Sequence, residues 1–327
     1  MKIAFAGFRH DHILSLYRLA QAHENLEIVA AAEADGATRS KLAESGKAVI
    51  THDDIETMLN SVDCDIVAIG DCYGNRGKIA ISALKRGKHI IADKPLCTSL
   101  EELAEIKRLA AEKKRCVGCM FTMRDSAMLA TVRDFIAAGK LGTPIQIHIS
   151  AQHPLLFGSR PQWYFQDGMH GGTINDIGCH AFDILPYLTG TPIKAVTAAR
   201  TWQAQPTGGS NFCDAGQFML ELANGCGVMC DVSYSAPATQ GYTHPCYWRF
   251  NIWGTNGMVE FKASDQNCKL YLNGSDHEEL MPVKTDFNSS YLEAFLQEIA
   301  GQPTLFATKD VLEAAYWSLT TQKIAEK

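Results

Sequence analysis

The amino-acid sequence predicts an α/β protein in two parts. An N-terminal doubly wound parallel sheet spans residues 1–121, and a C-terminal α+β part with a large, mostly antiparallel sheet spans 122–327. Three observations carry this prediction. Short runs that are apolar throughout alternate with helical segments up to about residue 120, which implies parallel strands covered on both faces. Beyond that point the runs alternate apolar and polar residues, as half-buried strands do. Asn-Gly pairs at 224–225, 256–257 and 273–274 punctuate the later runs as hairpin turns do.

The elements follow in order. Ile3–Ala6 is a strand entering a loop at Gly7, and Leu14, Leu16, Leu19 and Ala20 mark the first helix. Ile28–Ala32 is the second strand, with a helix over Asp35–Ser45 in which Asp35 is the expected N-cap. Ile66–Ile69, a helix around Lys78–Lys85 stopping at Gly87, and His89–Ala92 come next. Ser99 begins a long helix, with Glu102 three residues on to complete a capping box. In the second part a helix over Ser126–Ala138 precedes the alternating Ile145, Ile147 and Ile149. Strands are predicted at Ile193–Trp202, Gln217–Leu222, Gly227–Tyr234, Trp248–Trp253 and Met258–Phe261. Helices near Ser290–Ala300 and Lys309–Ile324 close the chain, the last expected to pack back on the N-terminal part.

Bulk properties exclude several classes. A chain of 327 residues exceeds what one core usually organises. Its 46% hydrophobic and 20% charged content is that of a globular protein. A net charge of -6 provides no general attraction for nucleic acid or an anionic membrane. No apolar run approaches the roughly 18 residues of a membrane span, and Arg9, His10 and Asp11 interrupt the N-terminal apolar stretch too early for a signal peptide. A cytoplasmic protein is expected. The eleven cysteines are scattered and read as reduced, buried thiols. Cys116 and Cys119 form a C-x-x-C, but its interior looks like strand and no second pair stands at zinc-ribbon spacing, so no metal is expected there.

A dinucleotide site needs a tight first turn, close backbone approach to pyrophosphate and a helix N-terminus. Here the loop reads Gly7-Phe8-Arg9-His10-Asp11-His12, with Arg9 and His12 where the second and third glycines of G-x-G-x-x-G would stand. An ordinary strand-to-helix loop is the alternative reading. Position favours a cofactor: the loop joins the first strand to the first helix, with Phe8, Arg9 and His10 around the phosphates and the Arg9 guanidinium replacing backbone contacts. Glu33 ends the second strand, where a carboxylate accepts ribose hydroxyls and repels a 2′-phosphate. NAD is therefore expected over NADP.

Asp93-Lys94-Pro95 follows the strand at His89–Ala92, and the carboxyl ends of parallel strands are where such sheets place reactive groups. A second constellation runs His170-Gly-Gly-Thr-Ile-Asn-Asp176-Ile-Gly-Cys-His180-Ala-Phe-Asp183. In a helix, Asp176 and His180 share a face one turn apart, while Ile177, Phe182, Ile184, Leu185 and Leu188 face a core. Neither H-x-x-x-H nor paired carboxylates complete a ligand set, so no metal is expected there either.

At these residues the chain resembles the glucose–fructose oxidoreductase and inositol dehydrogenase (Gfo/Idh/MocA) family. Asp93-Lys94-Pro95 is similar to that family's E-K-P, and the segment from Gly171-Gly172-Thr173 through Asp176 and His180 to Asp183 matches its second motif. Trp253-Gly254-Thr255-Asn256-Gly257 and the closing helix also resemble it. The family's T-P-N-x-x-H stretch reads Gly70-Asp71-Cys72-Tyr73-Gly74-Asn75-Arg76 here, and Asp93 replaces glutamate. The resemblance implies a Rossmann domain, a C-terminal open sheet that makes homo-oligomers, and NAD(P)-dependent oxidation of a sugar or polyol hydroxyl. Gly70, Asp71, Arg76, Asp93 and Lys94 then join Gly7, Phe8, Arg9, His10 and Glu33 as cofactor residues.

In the implied reaction His180 moves the hydroxyl proton, since imidazole titrates at about 6.5. Lys94 stabilises the developing alkoxide, and Asp176 orients the substrate or the His180–Lys94 pair. Arg124, His153, Trp163 and Asn175, with His244, are expected to line the substrate pocket, and Asp183 to close the helix face against the neighbouring domain. Two rival readings stay open. One retains NAD and cycles it within each turnover, for glycoside cleavage or isomerisation. The other is a non-catalytic NAD-sensing protein, motivated by the altered glycine loop.

Overall fold

Residues 1–208, 210–287 and 290–327 are described by a computed structural model of the chain. They fall into two units: Met1–Phe121 with Gln166–Gly171 and Tyr291–Tyr316, and Thr122–Phe165 with Gly172–Ser290 and Trp317–Lys327.

In the first unit the apolar runs become β1 (Lys2–Ala6), β2 (Glu27–Ala32), β3 (Ile66–Ile69), β4 (His89–Ala92) and β5 (Val117–Cys119). They alternate with α1 (Ile13–Ala22), α2 (Gly36–Ser45), α3 (Ile55–Ser61), α4 (Tyr73–Lys85) and α5 (Leu100–Lys113). Every pairing is parallel, in the order β2-β1-β3-β4-β5. The strand order therefore reverses between β1 and β3, and ligands of such sheets bind at the carboxyl ends beside this reversal. Asp35 caps α2 through Thr38 N–H as expected, at 2.8 Å. Ser99 caps α5 through Glu102 N–H, and the Glu102 carboxylate reaches back to the backbone N–H groups of Thr98 and Ser99. The sequence reading passed over α3, whose seven residues are too short for a clear helical period.

The second unit holds α6 (Ala127–Ala137), capped by Ser126, and α7 (Cys179–Thr189). Its strands are β6 (Pro144–Pro154), β7 (Ile193–Trp202), β8 (Ala215–Leu222), β9 (Gly227–Ala236), β10 (Arg249–Gly254), β11 (Gly257–Lys262), β12 (Asn267–Leu272) and β13 (Glu279–Pro282). They form one sheet in the order β13-β12-β11-β10-β6-β9-β8-β7, antiparallel except for β6 with β9. Two details differ from the sequence reading. Ile145 points to solvent, because a register shift between Trp253 and Gly254 opposite Gln146 and Pro144 resets the alternation before Ile147. The strands β12 and β13 extend the sheet past the last predicted one.

The chain ends in α8 (Tyr291–Ile299) and α9 (Thr308–Ala325). The sequence reading put all of 122–327 in the C-terminal part, yet α8 belongs to the first unit. The reason is its apolar face: Tyr291, Leu292 and Phe295 join Ile3, Phe5, Ile66 and Ile91 in one core. Burying a side chain of this size contributes about 1.5–3 kcal/mol. Gly118 makes room for this, since a Cβ there would stand 2.8 Å from the Phe295 ring. Among the described residues no helix is long and apolar enough to cross a membrane.

Candidate active site

In the first unit the candidate residues gather at the carboxyl ends of β1, β2, β3 and β4. Gly7 turns the chain out of β1 with φ +82°, and a Cβ there would lie 2.6 Å from Asp71 Cβ. Only glycine lets the loop lie this close to the end of β3. Gly70 continues the contact, its carbonyl accepting His10 N–H at 3.2 Å.

Glu33 stands at the end of β2 as expected, but its carboxylate faces the loop itself. Oε2 accepts Phe8 N–H at 2.5 Å and Oε1 accepts Asp35 N–H at 2.7 Å. Burial pushes its pKa up, opposed by these two amide bonds. Arg9 pairs with Asp71 at 2.6 Å, so the guanidinium expected on phosphate is held by the residue expected beside it. Asp71 also accepts Cys72 N–H and the Asn75 amide.

Two expected cofactor residues are placed differently. Arg76 has no exposed surface, and it donates to the carbonyls of Asp71, Asp93, Lys94 and Pro95 and to the Asp93 carboxylate. It holds the segment carrying Lys94 instead of reaching outward for a ligand. His10 is likewise buried, with Nδ1 on Asp93 Oδ2 and Nε2 3.2 Å from Tyr73 Oη. Burial lowers its pKa to about 4, although Asp93 opposes the shift. Burial alone would raise Asp93, but Arg76 and His10 hold it well below the usual carboxylate range. Lys94 is itself buried just beyond β4. Sequence inspection had no signal for the role of Arg76, because hydrogen bonds to distant carbonyls leave no pattern in the chain.

In the second unit the predicted helix is two windings. Residues Ile174–Gly178 form a π-turn and α7 starts at Cys179. The four-residue spacing of Asp176 and His180 thus crosses a change of pitch, and does not run along one α-helical face. The helix is also buried beyond the predicted apolar face, since Cys179, His180, Ala181 and Asp183 are buried as well. Gly172 starts the turn with φ +93° where a Cβ would strike Gln322, whose Oε1 accepts Ile174 N–H and Asn175 N–H. Asn175 Oδ1 accepts the Ser318 hydroxyl at 3.0 Å.

Asp176 accepts a hydrogen bond from Tyr234 Oη. Burial and the Asp176 charge hold the Tyr234 phenol well above its usual pKa, so it remains a donor. The Arg160 guanidinium lies over the rings of Tyr164 and Tyr234, at 4.6 and 4.9 Å. His180 packs edge-on against Trp248, with ring centroids 5.5 Å apart. His153 lies among Tyr234, Tyr242, Tyr247 and Trp248. Asp176, His180 and His153 are therefore gathered through Tyr234 and Trp248. Trp163 is buried against Tyr164, and His244 bonds the Gln152 carbonyl. Sequence inspection missed Tyr234, Trp248 and Arg160; the polar end of the β9 alternation was the one signal for Tyr234.

Arg124 has a charged partner within its own unit. Its guanidinium makes a buried two-point ion pair with Asp183, at 2.8–3.0 Å, and lies over Tyr187. Asp183, expected to close the helix face against the neighbouring domain, meets Arg124 of its own unit.

This geometry defines an α/β protein with a nucleotide-type sheet end and a separate acid–histidine cluster. Residues 1–121 match the model of an oxidoreductase family with an NAD-binding Rossmann fold, and residues 129–260 match the GFO/IDH/MocA C-terminal domain. The chain belongs to the GFO/IDH/MocA oxidoreductase family. Inositol 2-dehydrogenase 1 of Saccharopolyspora erythraea is 24% identical over 270 residues, covering 82% of this chain and 74% of its own. A putative oxidoreductase from Thermotoga maritima has the same fold, with a TM-score of 0.86 at 22% identity over 100% of this chain and 98% of that one. Levoglucosan dehydrogenase in complex with NADH has a TM-score of 0.81 at 20% identity, over 100% and 97% of the two chains.

Proposed function

We propose that the protein is an NAD-dependent dehydrogenase that interconverts a hydroxyl and a carbonyl on a sugar, polyol or sugar derivative. The observation that carries this reading is the Arg76 clamp, which fixes the backbone of Asp93, Lys94 and Pro95 at the carboxyl end of β4. An enzyme needs its charge-stabilising group held in place before substrate arrives. The inositol and levoglucosan dehydrogenases among the similar proteins supply the substrate class.

The Gly7 turn offers the close backbone approach that an adenine dinucleotide needs. Glu33, once turned from the Phe8 and Asp35 amides that it accepts here, would take the ribose hydroxyls and disfavour a 2′-phosphate, and Arg9 would supply positive charge for the phosphates. Bound NAD supplies the acceptor for the hydride that leaves the substrate carbon. His180 takes the hydroxyl proton in oxidation and returns it in reduction, Lys94 hydrogen-bonds the reacting oxygen, and Asp176, steadied by Tyr234, orients its neighbours. His153, Asn175 and Trp163 serve the substrate. The same reading includes a cytoplasmic homo-oligomer formed through the open sheet; Met219 and Met229, cross-strand partners about half exposed, support that surface.

NADH formation over a panel of polyols and sugars tests the scheme in wild type, Lys94→Ala and His180→Ala. Both variants are expected to lose at least about a hundredfold in kcat. Near-wild-type rates in either would overturn its assigned role, and substrate consumed without net NADH would move the reaction to internal cofactor cycling.

A further inference from the structure

Two histidines of the β1–α1 loop meet the acid that precedes Lys94. One ring nitrogen each from His10 and His12 and a carboxylate oxygen of Asp93 lie within 4.8 Å of one another. The two imidazole centroids are 4.2 Å apart. Asp93 Oδ2 is engaged by Arg76 and His10. Its other oxygen, Oδ1, is buried and accepts no hydrogen bond among the described residues. His12 Nδ1 stands 3.8 Å from it. That is too long for a hydrogen bond, yet it suits two ligands of one ion bound at about 2.0–2.2 Å each. A fully buried carboxylate oxygen without a donor is costly, and its position requires an explanation.

We infer that His10, His12 and Asp93 bind one divalent transition-metal ion. Two imidazoles and one carboxylate suit zinc, cobalt or iron(II) over magnesium and calcium, which prefer oxygen ligands throughout. The surroundings match a metal site in one further respect. The second nitrogen of His10 lies 3.2 Å from Tyr73 Oη, an outer partner that fixes the ring, and Arg76 holds the far carboxylate oxygen. His12 is more than half exposed, so its ring can close the last few tenths of an ångström without disturbing the core. Three protein ligands leave a coordination position for water or an oxygen anion.

The sequence offered no such pattern, because the H-x-H of the loop finds its carboxylate only when β1 and β4 end at the same edge of the sheet, one strand apart. The inference concerns the metal alone and does not depend on the dehydrogenase reading, so the test uses no nucleotide. Chelator-treated full-length protein is titrated with Co2+ while the visible d–d absorption is followed, and Zn2+ is then added as competitor. Saturation near about one equivalent is expected, with displacement by Zn2+. His12→Ala should weaken Co2+ binding by about tenfold or more, and Tyr73→Phe by about tenfold through its outer-shell role. Thermal melting of metal-free His12→Ala should match wild type, because that side chain is exposed. His277→Ala, exposed and far along the sequence, should bind as wild type does. No saturable band, or equal affinity in wild type and His12→Ala, would overturn the site and leave a hydrogen-bonded histidine–aspartate cluster.

Discussion

Arg76 and Asp93 form an ion pair at 2.8 Å in which neither side chain has any exposed surface. The same guanidinium holds the carbonyls of Asp93, Lys94 and Pro95, so it unites charge compensation with backbone placement. Removing it strands a buried carboxylate. Arg76→Ala is expected to lose about 3–5 kcal/mol of stability in urea denaturation. Arg76→Lys should recover only part, since an ammonium lacks the planar fork that reaches several acceptors at once.

Tyr234 donates to Asp176 from a fully protonated phenol. Tyr234→Phe should cost about 1.5–3 kcal/mol, the range for a hydrogen bond to a charged group. Dehydrogenase kcat should fall about tenfold. Because the phenol stays far above its usual pKa, the loss should be the same at neutral and mildly alkaline pH. Parallel kinetics at both pH values check this, and a loss that vanishes on the alkaline side would show a tyrosinate at work.

The stability of the first unit should fall in acid. His10 has a folded pKa of about 4 against an ordinary value of 6.5, so the unfolded chain takes up the proton first. The stabilising contribution is fully present above about pH 6.5 and is lost as pH falls through about 4, amounting to up to about 3 kcal/mol. His89, lowered to about 4 by burial and by Arg115, acts in the same direction. Urea midpoints across this range, with chelator present, should drop for wild type and drop less for His10→Asn.

Arg124 offers a test that separates structure from substrate. If its work is the buried pair with Asp183, Arg124→Ala should unfold about 3–5 kcal/mol earlier, with KM of the folded enzyme unchanged. A raised KM at unchanged stability would restore it to the substrate pocket.

The strand runs and helix caps were legible in the sequence because each is local: Asp35, Ser99 and Ser126 cap the helices that follow them. The β1 loop was legible as an anomaly, with Arg9 and His12 in glycine positions. What those side chains do was not legible, since Arg9 finds Asp71 and His12 approaches Asp93 only through strand order. Asp176 and His180 stood out by spacing, yet the π-turn between them arises from tertiary packing and has no periodic signature. The partner of Arg124 was not legible for a related reason: a guanidinium looks the same in sequence whether the carboxylate it meets is a ligand or Asp183.

The Gln322 carbonyl oxygen that accepts Ile174 N–H and Asn175 N–H lies 148 residues further along the chain than the first of them. During synthesis, the turn carrying Asp176 therefore leaves the ribosome long before its cap does. The β1–β5 sheet likewise lacks the Tyr291, Leu292 and Phe295 part of its core until α8 has emerged, and the acid–histidine cluster must wait for α9. A chain stalled between these two helices would carry a cored nucleotide-type sheet with the second cluster unfinished.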